Sequence, residues 1–328
     1  KAIAMVVVIT LFNLLTLSVN AWYCFYRIRI KVCFGHFHWG FLREISIYSL
    51  WIFLDAIVSR FYSSVGQIVL GVYRGASAVA IYALAIQLKS LFTSFSTALN
   101  SVLLPKVTAL VTKGGSDKEI SDLFIRVGRL QYFVISFILL VFIIFGKEFV
   151  TIWGGANYTQ TYYISLIILI PFSFDLISNV GIVILQAKNK LKYRSIPMLV
   201  GSLIGLILTV PFTQYFGVYG CAWSISLSIL VSNVFASNVV FYNIARIDII
   251  RYWKEIARMS WLPVLVIIIY FCLKAYVDIS SIGDFCVGVL LLFVVYQSVN
   301  IMVNMNCDEK AVMASILKKC IRWKEVKY

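Results

Sequence analysis

Residues 49–71 read SLWIFLDAIVSRFYSSVGQIVLG, an apolar run as long as a bilayer is thick that carries Asp55 and Arg60 near its middle. In water those charges would mark the solvated face of a helix. In a membrane they need compensation, since an arginine at the bilayer centre costs roughly 2.5–3.5 kcal/mol on insertion scales. Which solvent the chain sees therefore decides how the stretch is read. Of 328 residues, 61% are hydrophobic and only 13% are charged, against about 25% charged in ordinary soluble domains. Too little polar surface is available to cover a water-soluble fold of this size. The expectation is an all-α, polytopic helical membrane protein.

Working outward, nine segments approach the ~20 apolar residues that a transmembrane helix needs: 2–25, 48–71, 79–104, 130–152, 162–187, 195–215, 218–242, 260–277 and 285–306. Backbone polar groups in lipid must be satisfied within the segment, which selects helices where no barrel-like alternation exists. No small-residue cleavage site follows the first run, so it reads as a permanent span. The chain opens on Lys1 and enters that run at once, and the expectation is the C-terminal part of a longer protein.

Charge sets the orientation. Stretches 27–43, 106–129, 188–194, 246–258 and 310–327 hold 23 of the 29 lysines and arginines, whereas the opposite side has Lys1, Arg74, Lys147 and Lys274. Basic loops stay cytoplasmic, so the C-terminus is expected inside and the N-terminal end outside. The net charge of +15 is then a topology signal and an attraction to anionic lipid rather than a nucleic-acid footprint. Outer turns are short (YRGASAV, GGANYTQ, QYFGV). Inner connections such as 27–44 and 243–260 mix basic and aromatic residues in the way of interfacial segments.

The polar residues of the spans fall in stripes. Arg60 heads Ser63, Ser64 and Gln67 at i, i+3, i+4 and i+7, while Lys89, Thr93, Ser96 and Asn100 follow at helical spacing in the next span. Asp175, Ser178, Asn179 and Gln186 mark 162–187, and Ser232, Asn233, Ser237 and Asn238 mark 218–242. Helices with one hydrophilic face can enclose a hydrated cavity, or they can hydrogen-bond to one another at about 1 kcal/mol or less per contact. Two basic residues at mid-depth favour a cavity for 48–71 and 79–104, and packing is favoured for 218–242. Arg60 and Lys89 would make the cavity cationic and suited to a phosphate. The structural alternative pairs Arg60 with Asp55 or Asp175. Those aspartates are also the candidates for ion coupling.

Other signals are weaker. Seven cysteines are scattered without a paired motif, which argues against a disulfide framework. Cys33, His36 and His38 lie in an aromatic interfacial loop and read as structural, so no metal or cofactor is expected. The triplet NYT at 157–159 fits a glycosylation sequon that is common by chance. No nucleophile–base or phosphate-loop motif is present, and the chain does not read as an enzyme.

The pieces WIFLDAIVSRF, LGVYRGASAVAIYALAIQL, VLLPKVTAL, FVTIWGGANYTQTYYISLIILIP and YFGVYGCAWS, in that order across about 48–242, resemble bacterial polysaccharide flippases of the MOP exporter superfamily, the Wzx-type O-antigen branch. The resemblance implies two six-helix lobes around a central cavity, often with two further helices. On that map 1–26 ends an N-terminal lobe, 27–47 is a cytoplasmic amphipathic linker and 48–242 is the C-terminal transport lobe. Residues 243–328 supply an interfacial segment, two extra helices and a basic tail. It also implies the cargo, undecaprenyl-diphosphate-linked oligosaccharide, moved from the inner to the outer leaflet of the bacterial cytoplasmic membrane by alternating access for O-antigen or capsule assembly. Membrane lipids, a polysaccharide polymerase and a chain-length regulator are the implied partners. The rival readings are a multidrug or organic-cation exporter of the same superfamily and a membrane polysaccharide polymerase or ligase.

Overall fold

The computed structural model describes residues 2–27, 39–273 and 282–304. Among these residues every regular element is helical. Cys33, His36, His38 and the basic tail beyond 304 lie outside the described residues.

Two compact units are present, Lys1–Tyr48 and Ser49–Tyr328. The first contains helix α1 (Ala2–Trp22), continued as a π-helical turn to Arg27, and the opening turns of α2 (Trp39–Tyr73). Phe12, Leu15 and Leu17 of α1 are exposed, as expected of an apolar helix whose surroundings are lipid.

The second unit holds the rest of α2 together with α3 (Ala76–Thr112), α4 (Asp117–Gly154), α5 (Gln160–Ile177), α6 (Val180–Ala187) and α7 (Lys192–Ile229). After a π-helical turn at Leu230–Ala236 follow α8 (Ser237–Asn243), α9 (Ile249–Met259), α10 (Trp261–Leu273) and α11 (Ile282–Val299). The core sits among α3, α4, α5 and α7, where Tyr82, Ile135, Ile164, Ile168, Leu169 and Cys221 are sealed. A smaller cluster of Leu140, Ile144, Phe145, Leu262 and Tyr296 docks α10 and α11 on α4.

Local chemistry explains the boundaries. Ser116 caps α4, accepting from the Glu119 amide at 3.3 Å while the Glu119 carboxylate accepts from the Ser116 amide at 2.9 Å. The α7 helix reverses at Gly217, whose φ of 63° and ψ of −136° lie outside the range a residue with a Cβ adopts readily. That hinge is the expected outer turn QYFGV, so 195–215 and 218–242 are two limbs of one 52-residue helical stretch.

Seven helical stretches among the described residues are long and apolar enough to cross a membrane. Among the expected nine, 195–215 and 218–242 are the doubled stretch just described, and 48–71 lies within α2, one continuous helix from Trp39 to Tyr73. The expected span 162–187 breaks at Ser178 and Asn179, between α5 and α6. There the Ser178 hydroxyl donates to the carbonyls of Phe174 and Asp175, both at 3.1 Å, competing with the helix ladder. Ion pairs join three of the basic loops at one end of the unit: Lys188 to Asp117 at 3.3 Å, Arg251 to Asp122 at 2.7 Å and Arg129 to Glu255 at 2.6 Å.

Without a hydrophobic force between helices in lipid, close packing of small residues carries association. The two limbs of α7 meet that way. A Cβ on Gly201 would lie 2.3 Å from the Ser232 Cβ, one on Gly205 would lie 2.6 Å from the Ser228 hydroxyl, and that hydroxyl donates to the Gly201 carbonyl at 2.6 Å. Gly201→Ala should therefore lower the apparent melting temperature of the purified protein by about 5 °C, from an overpacking cost of ~1–3 kcal/mol. Gly40→Ala, with nothing within 4 Å, should leave it unchanged or slightly raised. Thermal unfolding followed by fluorescence checks both.

Candidate functional site

The site begins with α2. Asp55 faces α7, and Arg194, in the first turn of that helix, reaches it with Nη1 to Oδ1 at 3.0 Å. The same guanidinium places Nη2 3.6 Å from Asp175 Oδ1 on α5. Its side chain is 3% exposed, while Asp55 is 26% and Asp175 14% exposed. A cation at a helix N-terminus opposes the helix dipole, and two carboxylates from neighbouring helices offset that penalty. Asn233 Nδ2 donates to the second oxygen of Asp175 at 3.1 Å, and the Ser232 hydroxyl donates to Asn233 Oδ1 at 3.1 Å. Arg194 thus ties α2, α5 and α7 together, and the second limb's polar residues complete the cluster.

Lys89 stands close by on α3. Its ammonium lies 4.5 Å from the centre of the Phe172 ring, a cation–π contact, and Asp175 acts on it electrostatically. Two carboxylates, Asp55 and Asp175, thereby face two cations, Arg194 and Lys89, within one group of helices.

A second clasp lies further along the same helix pair. Arg74 donates through Nη2 to the Gln214 carbonyl at 2.7 Å and through Nε and Nη2 to the Thr213 carbonyl at 3.3 Å. Both the Asp55–Arg194 and Arg74–Thr213 contacts span 139 residues, so α2 runs parallel to the first limb of α7 in constant register. The two clasps are about 28 Å apart at 1.5 Å per residue.

Between them, Arg60 points away from the cluster. It lies on an open apolar groove of about 390 Å³ with Phe53, Ile57, Phe61, Ser64 and Ile68, and it forms no ion pair among the described residues. The alternative that pairs Arg60 with an aspartate is therefore corrected: Arg194 occupies both carboxylates. Arg194 itself was expected among the basic loop residues and is instead buried.

The remaining stripe residues divide. Ser63 is half-buried and donates to the Ser59 carbonyl at 3.1 Å, Ser64 is exposed and Gln67 is half-buried. Thr93 is half-buried and donates to the Lys89 carbonyl at 2.9 Å. Ser96 is fully buried, donating to the Leu176 carbonyl at 3.3 Å and accepting from Gln131 at 3.3 Å, so it is a helix-to-helix contact. Gln186 is half-buried in α6. The side chain of Asn100 lies outside the described residues. Arg194 is legible only indirectly: two aspartates in spans require a cation, and an arginine at the edge of a span reads as a loop residue.

Beside Lys89, the neighbouring face of α3 opens on an apolar groove of about 210 Å³ shared with α4 and α11, lined by Leu88, Leu91, Phe92, Phe95, Phe145 and Phe285. The helical stretches, their apolar exteriors and the charges within them define an all-α polytopic membrane protein. Residues 2–163 match the model of a family described as polysaccharide biosynthesis protein. That match supports a role in polysaccharide biosynthesis; it includes Asp55, Arg60 and Lys89 and stops short of Asp175 and Arg194. No curated protein and no solved structure matches the chain.

Breaking a buried ion pair by removing one partner costs about 3–5 kcal/mol, because the other charge is left uncompensated. Arg194→Ala should accordingly lower the yield of folded protein in the membrane sharply and depress its melting temperature. The double variant Arg194→Met, Asp55→Asn, which leaves Asp175 facing Lys89 and strands no charge, should recover most of both. Equal loss in the two variants would show that the charges themselves are not what holds these helices.

Proposed function

We propose that the chain acts as a flippase that carries an undecaprenyl-diphosphate-linked oligosaccharide across the bacterial cytoplasmic membrane for surface polysaccharide assembly. The observation that carries this reading is Arg60, exposed in its groove with no ion pair among the described residues, while Arg194 and Lys89 are engaged by the protein. A guanidinium held at mid-membrane depth stabilises a diphosphate where desolvation otherwise opposes crossing, and its planar fork suits two phosphate oxygens. The Phe-lined groove of α3, α4 and α11 accommodates part of the polyprenyl chain, leaving the glycan to the polar residues of α2 and α3. The N-terminal lobe would supply the opposite wall, and rocking of the lobes would expose the site to each side in turn. The C-terminal tail is cytoplasmic in this reading, and a polymerase and chain-length regulator act on the delivered cargo. The protein makes and breaks no covalent bond.

The test uses the complete protein in a strain lacking its own flippase. Arg60→Ala should abolish surface polysaccharide, by about tenfold or more if one charge-assisted contact of 1.5–3 kcal/mol is lost, while Arg60→Lys retains part of it. Both variants should reach the membrane at the wild-type level. Undiminished polysaccharide in both would sink the proposal.

A further inference from the structure

The basic end of the second unit carries a cleft for which the transport reading has no use. It is formed where α8 ends, at Asn243, and α9 begins. The apolar face of α9 is consumed by the protein: Ile249, Tyr252, Ile256 and Met259 are buried, and the Tyr252 ring lies 4.6 Å from that of Phe124. At Gly128 there is room for a hydrogen only, since a Cβ would sit 2.4 Å from Tyr252. The strong amphipathicity of this segment, which in the sequence suggests insertion into the interface, is spent on docking to α4. Ile250 is left outside, 72% exposed, with Lys254 and Arg258 following at i+4 and i+8.

The cleft beside Ile250 has a volume of about 660 Å³, and Asp117, Lys118, Tyr242, Arg246, Asp248 and Arg251 line it with Ile250. Its charges are unequally satisfied. Asp117 is engaged by Lys188, Asp248 caps α9 by accepting from the Arg251 amide at 3.0 Å, and the Arg251 guanidinium is held by Asp122. Lys118 has no ion pair among the described residues, and Arg246 has only a 3.8 Å approach to Asp117 with its side chain 77% exposed. Arg246 also sits at a φ of 55°, uncommon for a residue with a Cβ. The backbone there is fixed on both sides, by the Ala245 amide donating to the Val240 carbonyl at 3.3 Å and the Ile247 amide to the Phe241 carbonyl at 3.0 Å. The left-handed residue is thus the turn that closes the C-terminus of α8, and it leaves the Arg246 side chain exposed beside the cleft.

Two under-satisfied cations bordered by the exposed apolar side chains of Tyr242 and Ile250 make an amphiphilic recess at the end of two membrane-spanning stretches. A free anion would have no use for the apolar rim, and a neutral lipid would have none for the cations. Basic pockets between helices on the cytoplasmic side hold anionic lipid headgroups. We propose that the α8–α9 elbow binds an anionic phospholipid, its phosphate between Lys118 and Arg246 and its acyl chain along Tyr242 and Ile250. The inference rests on the membrane fold and is independent of the cargo.

The complete protein, purified and reconstituted with phosphatidylglycerol or with phosphatidylcholine, tests it by native mass spectrometry of the retained lipid. The wild type should keep phosphatidylglycerol in preference to phosphatidylcholine. Lys118→Gln with Arg246→Gln should weaken that retention about tenfold, while Lys147→Gln should leave it intact. Lys118→Gln alone, at an exposed helical position, should give a partial loss and guards against a fold effect at the elbow. Soluble glycerol phosphate should fail to displace the lipid, and Ile250→Ser should speed its loss. Wild-type retention in the double variant would overturn the proposal, and so would displacement by glycerol phosphate, which would make the recess a simple anion site.

Discussion

The guanidinium of Arg194, lodged between Asp55 and Asp175, is the interaction on which the arrangement of the second unit depends. In a lipid environment apolar surfaces have little preference for one another over acyl chains, so helix order must come from shape and from polar contacts that lipid cannot replace. Small-residue packing does this between the limbs of α7. For α2 the polar contacts dominate: Asp55 to Arg194 near one end and Arg74 to the Thr213 and Gln214 carbonyls near the other. Because both clasps lie at the same register, α2 has one rotational setting on α7. That setting puts Asp55 inward and Arg60, five residues on and well round the helix, on the exposed groove.

This division of charge gives the polar residues different tasks. Asp55, Asp175, Arg194 and Asn233 satisfy one another and hold three helices, and Lys89 rests on Phe172 at their margin. Many hydroxyls of the α2 and α3 stripes are satisfied by their own helix carbonyls, as with Ser63, Thr93 and Thr97. Such residues tolerate either water or protein beside them. Arg60 alone among these named groups presents a full charge without a counter-charge, and the functional reading is concentrated on it for that reason.

The all-helical membrane fold and most of the spans were legible in the sequence because twenty-residue apolar runs leave the backbone no other choice. Places where side chains compete with the helix were less legible. Ser178 and Asn179 break an otherwise apolar run. Arg194 was hidden because the positive-inside rule reads any arginine at a helix edge as solvated, and only three-dimensional proximity to two aspartates shows otherwise. The amphipathic pattern of 249–259 was visible, but periodicity cannot tell a helix lying on lipid from one lying on α4; the close approach of Tyr252 to Gly128 decides for the protein.

Thiol accessibility tests most directly whether the Arg194 clasp turns the Arg60 face of α2 toward an aqueous path. With the seven native cysteines replaced, Ser64→Cys would be placed on the exposed groove and Ser96→Cys in the sealed contact between α3 and α5. A charged, membrane-impermeant thiol reagent applied to both sides of native membranes should modify Ser64→Cys rapidly and leave Ser96→Cys unmodified. If Ser64→Cys is as inert as Ser96→Cys, the groove faces lipid or protein, and the assignment of Arg60 to a water-accessible site fails.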